Sequence, residues 1–453
     1  MKSFTLNQAL SACGGQYFGE MDLLNREISS IVTDSRKVKK DALFAAIVGE
    51  RVDGHSFIAQ CIEVGALCAL CEKPPSENVP YILVENTKQA LIDIATAYRL
   101  TFDIPFIGIS GSVGKTTTKE MIASVLSQKY SVHKTQGNFN NDLGVPLTLF
   151  ALEEEHQIAV IEMGISDFGE MTVLSRIVKP DVCVLTNIGN CHLECLVDRD
   201  GVRKAKTEMF DFMQENGVAV LCSDDDKLCE IEDVRGKAPI TFGLNAEADY
   251  TADSITTNNE DKTFFTVKYD GEEFDATVCA LGKHMVTNAL CATAVGKLFG
   301  LSSEEIAKGI WEYKPTGSRQ NVIKTEKLTI IDDCYNANPA SMKASVETLA
   351  GFSGRRVAIL GDMKELGKTE NELHREIGRF AVEKNLDLVI AIGDLALNIY
   401  KEARPYIDCE WFQTVEEAKL EMYEMLTIGD TVLVKASHSM KFDDIVEYLK
   451  ELG

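Results

Sequence analysis

The run Ile107-Gly108-Ile109-Ser110-Gly111-Ser112-Val113-Gly114-Lys115-Thr116-Thr117-Thr118 is the most informative segment of the chain. An apolar strand, Pro105–Ile109, leads into a glycine-rich turn, and the turn opens a helix expected over Lys119–Lys129. Glycine at 111 and 114 lets the backbone take dihedrals closed to other residues and turn its N–H groups toward a phosphate. The helix N-terminus that follows adds a favourable dipole. Gly111, Ser112, Val113, Gly114 and Thr117 form the expected cradle. Lys115 can reach the β- and γ-phosphates, and the Thr116 hydroxyl can ligate Mg²⁺. The strict pattern places glycine six residues before the lysine; here that position is Ile109, with Gly108 one earlier. Strand, loop, Lys-Thr-Thr and helix together point to an ATP or GTP site.

Around that loop the pattern is α/β. From Ile104, buried strands (Pro105–Ile109, Ile158–Met163, Val182–Asn187, Val218–Cys222) alternate with amphipathic helices, as in a parallel sheet. Near 249–280 the texture changes to short strands of alternating polarity, with Asp270-Gly271 as a hairpin turn. Upstream, residues 1–100 are short mixed segments ending in a helical run, Thr87–Leu100, and Pro105 with its new strand marks a boundary. Downstream, a helix over Lys283–Phe299 is followed by a second boundary at Lys314-Pro315. Strands at Leu328–Asp332, Arg356–Leu360, Leu386–Ile392 and Thr431–Lys435 then alternate with helices again. The expectation is an α/β protein of three domains. They are a small N-terminal α/β substrate domain over 1–100, a central P-loop domain with a parallel sheet over 101–314, and a Rossmann-like, doubly wound domain over 315–453. The last has no GxGxxG after its first strand and is not read as a dinucleotide binder.

Composition agrees with three cores: 453 residues at roughly 150 per domain. The 46 Lys+Arg against 70 Asp+Glu leave a formal charge of −24, which argues against nucleic-acid or anionic-membrane partners. It leaves room for a phosphorylated small molecule held by a few local cations. The 13 cysteines are scattered through a long chain and read as reduced thiols, Cys68-x-x-Cys71 among them in an apolar, helix-like run. The N-terminus lacks a signal-peptide pattern, and no apolar run approaches the roughly 18 residues of a membrane span. A cytoplasmic protein without membrane insertion is expected.

Three clusters follow the P-loop. Glu162, in Val160-Ile161-Glu162-Met163-Gly164, ends a buried strand, where a P-loop metal needs an acidic partner. The next strand leads into Thr186–Cys195, which carries Cys191, His192, Glu194 and Cys195. That spacing fits no standard zinc site, so His192 is read as a ligand to a second magnesium or a group behind one, with a hydrogen-bonded loop histidine as the plain alternative. Arg203-Lys204-Ala205-Lys206-Thr207-Glu208 opens a helix that on pattern alone is a solvated charged face.

In this order, Gly111–Thr117, Gly137–Leu147 (GNFNNDLGVPL), Glu162-Met163-Gly164, Thr186–Glu194 and Ala205–Glu208 resemble the Mur ligases, ATP-dependent amide-bond ligases of peptidoglycan synthesis. Ile331–Met342 (IDDCYNANPASM) and Leu360–Gly367 (LGDMKELG) are similar to the MurF type, which adds D-Ala-D-Ala to UDP-MurNAc-tripeptide. The resemblance spans nearly the whole chain. It implies that the first domain receives UDP-MurNAc-tripeptide, the central one ATP, and that the third closes over both. It also implies an acyl-phosphate intermediate, with UDP-MurNAc-pentapeptide, ADP and phosphate as products.

The resemblance assigns residues as well. Lys115 neutralises the transferring phosphoryl group; Thr116 and Glu162 hold one Mg²⁺, and Glu162 with His192 a second. Lys206 matches a lysine that relatives carry as a carbamate, which turns an ammonium into an oxygen ligand for the metal. Asn288, with His284, matches an adenine contact, Arg319 a phosphate contact, and Asp333 a contact to ribose or metal-bound water. Ser35 and Arg36, within Thr33–Val38, and the segment Gly49–His55 match contacts to the UDP-sugar peptide. Asn141, Tyr335, Asn336, Asn338, Lys435 and His438 are candidate substrate contacts, and a monomer is expected. One segment departs from the family: in Val434–Met440, Ala436 stands for the usual Gly and His438 for the usual Arg. Arginine is a permanent bidentate donor and histidine a weaker, titratable one, so any grip this loop has on a carboxylate is expected to weaken above neutral pH. The alternatives are a relative adding diaminopimelate, lysine or glutamate, a plain P-loop hydrolase or kinase, and a nucleotide-gated binding module.

Overall fold

The computed structural model describes residues 1–49, 52–245, 247–258 and 262–453; Glu50 and Arg51 of the Gly49–His55 segment lie outside the described residues. Three sheets follow one another along the chain. The first runs Gln16–Phe18, Tyr81–Leu83, Cys68–Cys71, Leu43–Ala45, Ile31–Val32, parallel except for its first strand. Cys68–Cys71 is thus a strand, not a helical run. All four of its residues are buried, and a short fully apolar segment has no periodicity to separate the two conformations.

The central sheet has nine strands. Seven contiguous parallel strands run from Tyr250–Thr257 and Ile240–Phe242 through Val218–Cys222, Val182–Leu185, Phe106–Ser110, Ile158–Glu162 and Val132–Lys134, in that spatial order. The hairpin Thr263–Tyr269/Glu272–Val278 extends the far edge, turning through Asp270 and Gly271 at φ 45° and 75°. The P-loop strand Phe106–Ser110 therefore sits between Ile158–Glu162 and Val182–Leu185. The chain leaves it toward one edge and later returns on the other side, and this reversal opens a crevice at its C-terminal end.

The third sheet has six strands, in the order Asn321–Lys324, Thr329–Asp332, Thr431–Lys435, Arg356–Gly361, Leu388–Ile392, Asp408–Phe412. All but the first pairing are parallel. Alternate residues feed two cores: Ala358, Leu360 and Val389 on one face, Val357, Ile359 and Ile390 on the other. The two edge strands, 321–324 and 408–412, are not among the strands read from sequence. The first has no buried position and the second mixes exposed with buried ones, so both lack the apolar runs of the central strands.

Helix Thr87–Arg99 docks the first domain on the second. The Tyr98 hydroxyl donates to Leu152 O at 2.7 Å, and Arg99 Nε to Val178 O at 2.8 Å, with its guanidinium 3.9 Å from the Phe106 ring centre. A buried guanidinium is tolerated there because carbonyls and a ring face replace its water.

Candidate active site

The P-loop helix spans Lys115–Leu126, starting four residues before the sequence expectation because Gly114, at φ 82°, turns the chain directly into it. The loop is braced by the end of the neighbouring strand. Ser112 N donates to Asn187 O at 3.0 Å, Val113 N to Asn187 Oδ1 at 2.9 Å, and Thr186 Oγ1 to Val113 O at 2.6 Å. Gly111, at φ 147°, lies so close that a Cβ would sit 2.0 Å from Thr186 Oγ1. Gly111→Ala is therefore expected to displace the loop and weaken nucleotide binding by about tenfold or more, measured by titration calorimetry with ADP, with little change in far-UV circular dichroism.

Lys115 Nζ donates to Gly111 O at 2.7 Å. Burial pushes its ammonium below the ordinary lysine value, and Glu162 opposes that shift. Thr116 Oγ1 donates to Glu162 Oε2 at 2.8 Å, and Asn140 Nδ2 to Oε1 at 2.8 Å. Lys119, one turn past Thr116 and fully buried, has Nζ 3.8 Å from Glu162 Oε2 and donates to Thr135 O at 2.7 Å. Glu162 is 1% exposed, and these contacts supply hydrogen-bond donors to both of its carboxylate oxygens. Among the described residues, no three His, Cys, Asp or Glu cluster as a metal site. A threonine hydroxyl beside one carboxylate nevertheless suits Mg²⁺, which takes one or two protein oxygens and completes its shell with phosphate and water.

His192 lies in the loop entering the short helix Leu193–Leu196. Burial lowers its pKa, Glu365 opposes this, and Lys206 and Lys115 add to the lowering. Lys206, on helix Arg199–Thr207, is 1% exposed, against the solvated face its pattern suggested. The helix packs Val202 and Ala205 inward and carries Lys206 with them.

The opposite wall belongs to the C-terminal domain. Lys435 Nζ donates to Asp333 Oδ2 at 2.7 Å and Asn336 O at 3.0 Å, and Ser345 Oγ donates to the same Asp333 oxygen at 2.5 Å. The charge of Lys435 is thus balanced inside the Asp332–Asn338 loop. The Arg319 guanidinium lies 3.9 Å over the Tyr335 ring, and exposed His438 meets the other part of that ring at 5.6 Å between centres. Asn338 caps helix Pro339–Ala350, accepting from Ser341 N at 2.9 Å, and Asn336 Oδ1 accepts from Ala337 N at 2.9 Å.

Between these walls lies a cavity of about 670 Å³. Of the residues anticipated from sequence, it brings together Ser112, Val113, Gly114, Lys115, Thr116, Thr117, Asn141, Glu162, His192, Asn288, Arg319, Asp333, Tyr335, Asn336, Asn338 and Lys435. Gly111, Lys206 and His438 do not line it: Lys206 is buried, and exposed His438 lies beside the lining residue Tyr335. Ser35 and Arg36 do not line it; they occupy an exposed turn of the first domain, where Arg36 pairs with Asp34 at 2.8 Å. Asn140, Lys119 and the ion pair Lys88–Asp142 were not read from sequence. Asn140 adjoins the anticipated Asn141, whose own Oδ1 caps helix Gly144–Phe150 by accepting from Gly144 N at 2.8 Å. Lys119 could have been found from its position three residues after Thr116 on one helix face.

A P-loop braced by the adjacent strand end, facing a Rossmann-like domain across a shared cleft, defines a nucleotide-using enzyme of the multidomain ligase class. Residues 27–99, 109–296 and 318–438 match, respectively, the Mur ligase family catalytic domain, the Mur ligase middle domain and the Mur ligase glutamate ligase domain. The chain is 40% identical over 434 residues to the UDP-N-acetylmuramoyl-tripeptide–D-alanyl-D-alanine ligase of Bacillus subtilis, covering 94% of this chain and 93% of that one. It is 32% identical to the Escherichia coli protein of the same name over 100% of both chains. It superposes on a crystal structure of MurF from Acinetobacter baumannii with a TM-score of 0.92 at 32% identity, covering 100% and 99% of the two chains. For the Thermotoga maritima MurF ligase in complex with ADP, the TM-score is 0.82 at 28% identity, covering 93% and 97%. This chain belongs to the Mur ligase family.

Proposed function

We propose that the chain joins the terminal carboxylate of UDP-MurNAc-tripeptide to the amine of D-Ala-D-Ala, converting ATP to ADP and phosphate. The observation that carries this reading is the shared cavity, lined on one side by Ser112–Thr117 and on the other by Asp333, Tyr335, Asn336 and Asn338. Full-length similarity to enzymes of that name supports it. The test is phosphate release from ATP with UDP-MurNAc-tripeptide, with and without D-Ala-D-Ala. Dependence on both substrates is expected; release without the dipeptide, or with diaminopimelate or glutamate in its place, would reassign the reaction.

A carboxylate is a poor acyl donor because oxide would have to leave. Phosphorylation by the γ-phosphoryl group of ATP gives an acyl phosphate; the dipeptide amine then adds to its carbonyl, and the tetrahedral intermediate collapses by expelling phosphate. The protein's work is placement and charge neutralisation. Lys115 exchanges the Gly111 carbonyl for phosphate oxygens, Arg319 is held by the Tyr335 ring, and Asn288 borders the loop from the central domain's long helix Lys283–Leu298. Thr116 and Glu162 would hold one Mg²⁺ and Glu162 with His192 a second, supplying positive charge at the phosphate and reacting carboxylate oxygens. Among the described residues, no helix is long and apolar enough to cross a membrane. We read the enzyme as a cytoplasmic monomer, which sedimentation would test.

The same reading makes Lys206 a carbamate carrier. Its ammonium has no hydrogen bond or ion pair among the described residues, and burial pushes its pKa down to about 8. Only the neutral amine attacks CO₂, forming the C–N bond and releasing a proton. Its fraction rises about tenfold per pH unit up to pH 8 and levels off above. Activation by added bicarbonate is therefore expected to grow from pH 7 to 8. Lys206→Ala is expected to lose about 10–100-fold in kcat and to recover in part with millimolar formate or acetate. An undiminished kcat in that variant would remove Lys206 from this role.

A further inference from the structure

The His192 loop of the central domain and the Glu365 loop of the C-terminal domain meet across the seam between them. His192 Nδ1 lies 2.6 Å from Glu365 Oε2, and Leu193 N donates to Glu365 O at 3.0 Å. Just beyond, Gly367 lies against Glu194, where a Cβ would make an ordinary van der Waals contact with Glu194 N at 3.5 Å. The carboxylate stands off the axis of the ring N–H, so Nδ1 has an ion-pair contact without an aligned hydrogen bond. At 2.6 Å an unprotonated, electron-rich Nδ1 would be repelled by the carboxylate charge even off the ring axis, so the contact favours the proton on Nδ1. Both residues also hold the left-handed backbone conformation that non-glycine residues avoid, His192 at φ 51° and Glu365 at φ 63°. Two strained residues facing each other at a domain boundary are the kind of feature that persists where it has a use.

We propose that Glu365 is a positioning residue for the ligase reaction: delivered by the C-terminal domain, its carboxylate holds His192 as the Nδ1–H tautomer and leaves Nε2 as the free lone pair for the metal site. A ligating imidazole needs its second nitrogen fixed in this way, and a carboxylate is a common partner for it. Here that partner comes from another domain, so the central domain's histidine is correctly set only when the two domains are docked. The Glu365 side chain is 59% exposed, which makes orientation rather than stability its contribution. The inference rests on the reading of His192 as a metal-site residue.

The test uses the full chain labelled with [¹⁵N]histidine, the His192 ring signals being assigned by their loss in His192→Gln. Wild type is expected to show His192 predominantly as Nδ1–H, with and without Mg²⁺ and a non-hydrolysable ATP analogue. Glu365→Gly removes the carboxylate at a φ that suits glycine, so thermal unfolding should be unchanged while the ring shifts to a mixed or Nε2–H population. In the same variant, kcat for D-Ala-D-Ala-dependent phosphate release should fall about 10–100-fold with the KM for ATP within about twofold. Glu365→Asp, which keeps a carboxylate, should restore much of both signals. An unchanged tautomer or an undiminished kcat in Glu365→Gly would overturn the inference. A wild type that releases no phosphate in response to D-Ala-D-Ala would instead overturn the proposed function, and the tautomer comparison could still be read.

Discussion

Lys115→Ala is expected to lower kcat/KM for ATP on the order of 10³-fold while the chain stays folded. Among the described residues the ammonium's one hydrogen-bond partner is the Gly111 carbonyl, 2.7 Å away within its own loop, so its removal unravels no network. Burial already disfavours its charge, and taking away a poorly compensated, half-buried cation does not destabilise a fold. With nucleotide present the proposed role of Lys115 predicts a different loss: the transferring phosphoryl group would give up the lysine that the P-loop carries. Lys115→Arg should recover little, because a planar guanidinium cannot act as a compact point charge in the same space. Steady-state phosphate release, with circular dichroism as the folding control, checks both variants. A loss under tenfold would mean that Lys115 does not meet the γ-phosphate.

Lys435→Met is expected to destabilise the C-terminal domain by about 3–5 kcal/mol, the usual consequence of stranding one member of a buried ion pair. Lys435 is 2% exposed and ties the Asp333 carboxylate to the Asn336 carbonyl. Without it, the Asp333 carboxylate keeps, among the described residues, only Ser345 Oγ and the Gln320 backbone N–H at 3.2 Å. The Asp332–Asn338 loop, which carries Tyr335 under Arg319, should loosen as well, raising the KM for ATP. Urea unfolding followed at Trp411, in the edge strand Asp408–Phe412 of the same sheet, reports the domain's stability. Pairing Lys435→Met with Asp333→Asn should return part of the stability, since the uncompensated charge is gone, and none of the activity.

These two lysines illustrate how differently residues announce themselves. Lys115 is legible because everything that defines it is contiguous: an apolar strand, two obligatory glycines and a helix start. Lys435 looks in sequence like a cation at the end of a strand, available to a substrate; its neutralisation by Asp333 depends on two parallel strands meeting side by side. Asn140 and Asn141 cannot be told apart in the sequence, yet one reaches Glu162 and the other caps a helix. Lys206 reads as a solvated charge, and Cys68–Cys71 as a helix, because burial is a property of what packs over a segment.

What the sequence by itself determined is the set of local, periodic features: the P-loop, the alternation of strands and helices, the hairpin at Asp270-Gly271, and the ordered motifs that place the chain among the Mur ligases. These depend on backbone dihedrals and side-chain spacing within a few residues, which the chain carries wherever it folds. Only the tertiary structure decided that Thr116, Asn140 and Lys119 converge on Glu162, that Lys206 is shut away from water, and that Glu365 of one domain stands against His192 of another. Those contacts join positions far apart in the chain. They depend on strand order and on how the domains dock, neither of which is written in any local segment.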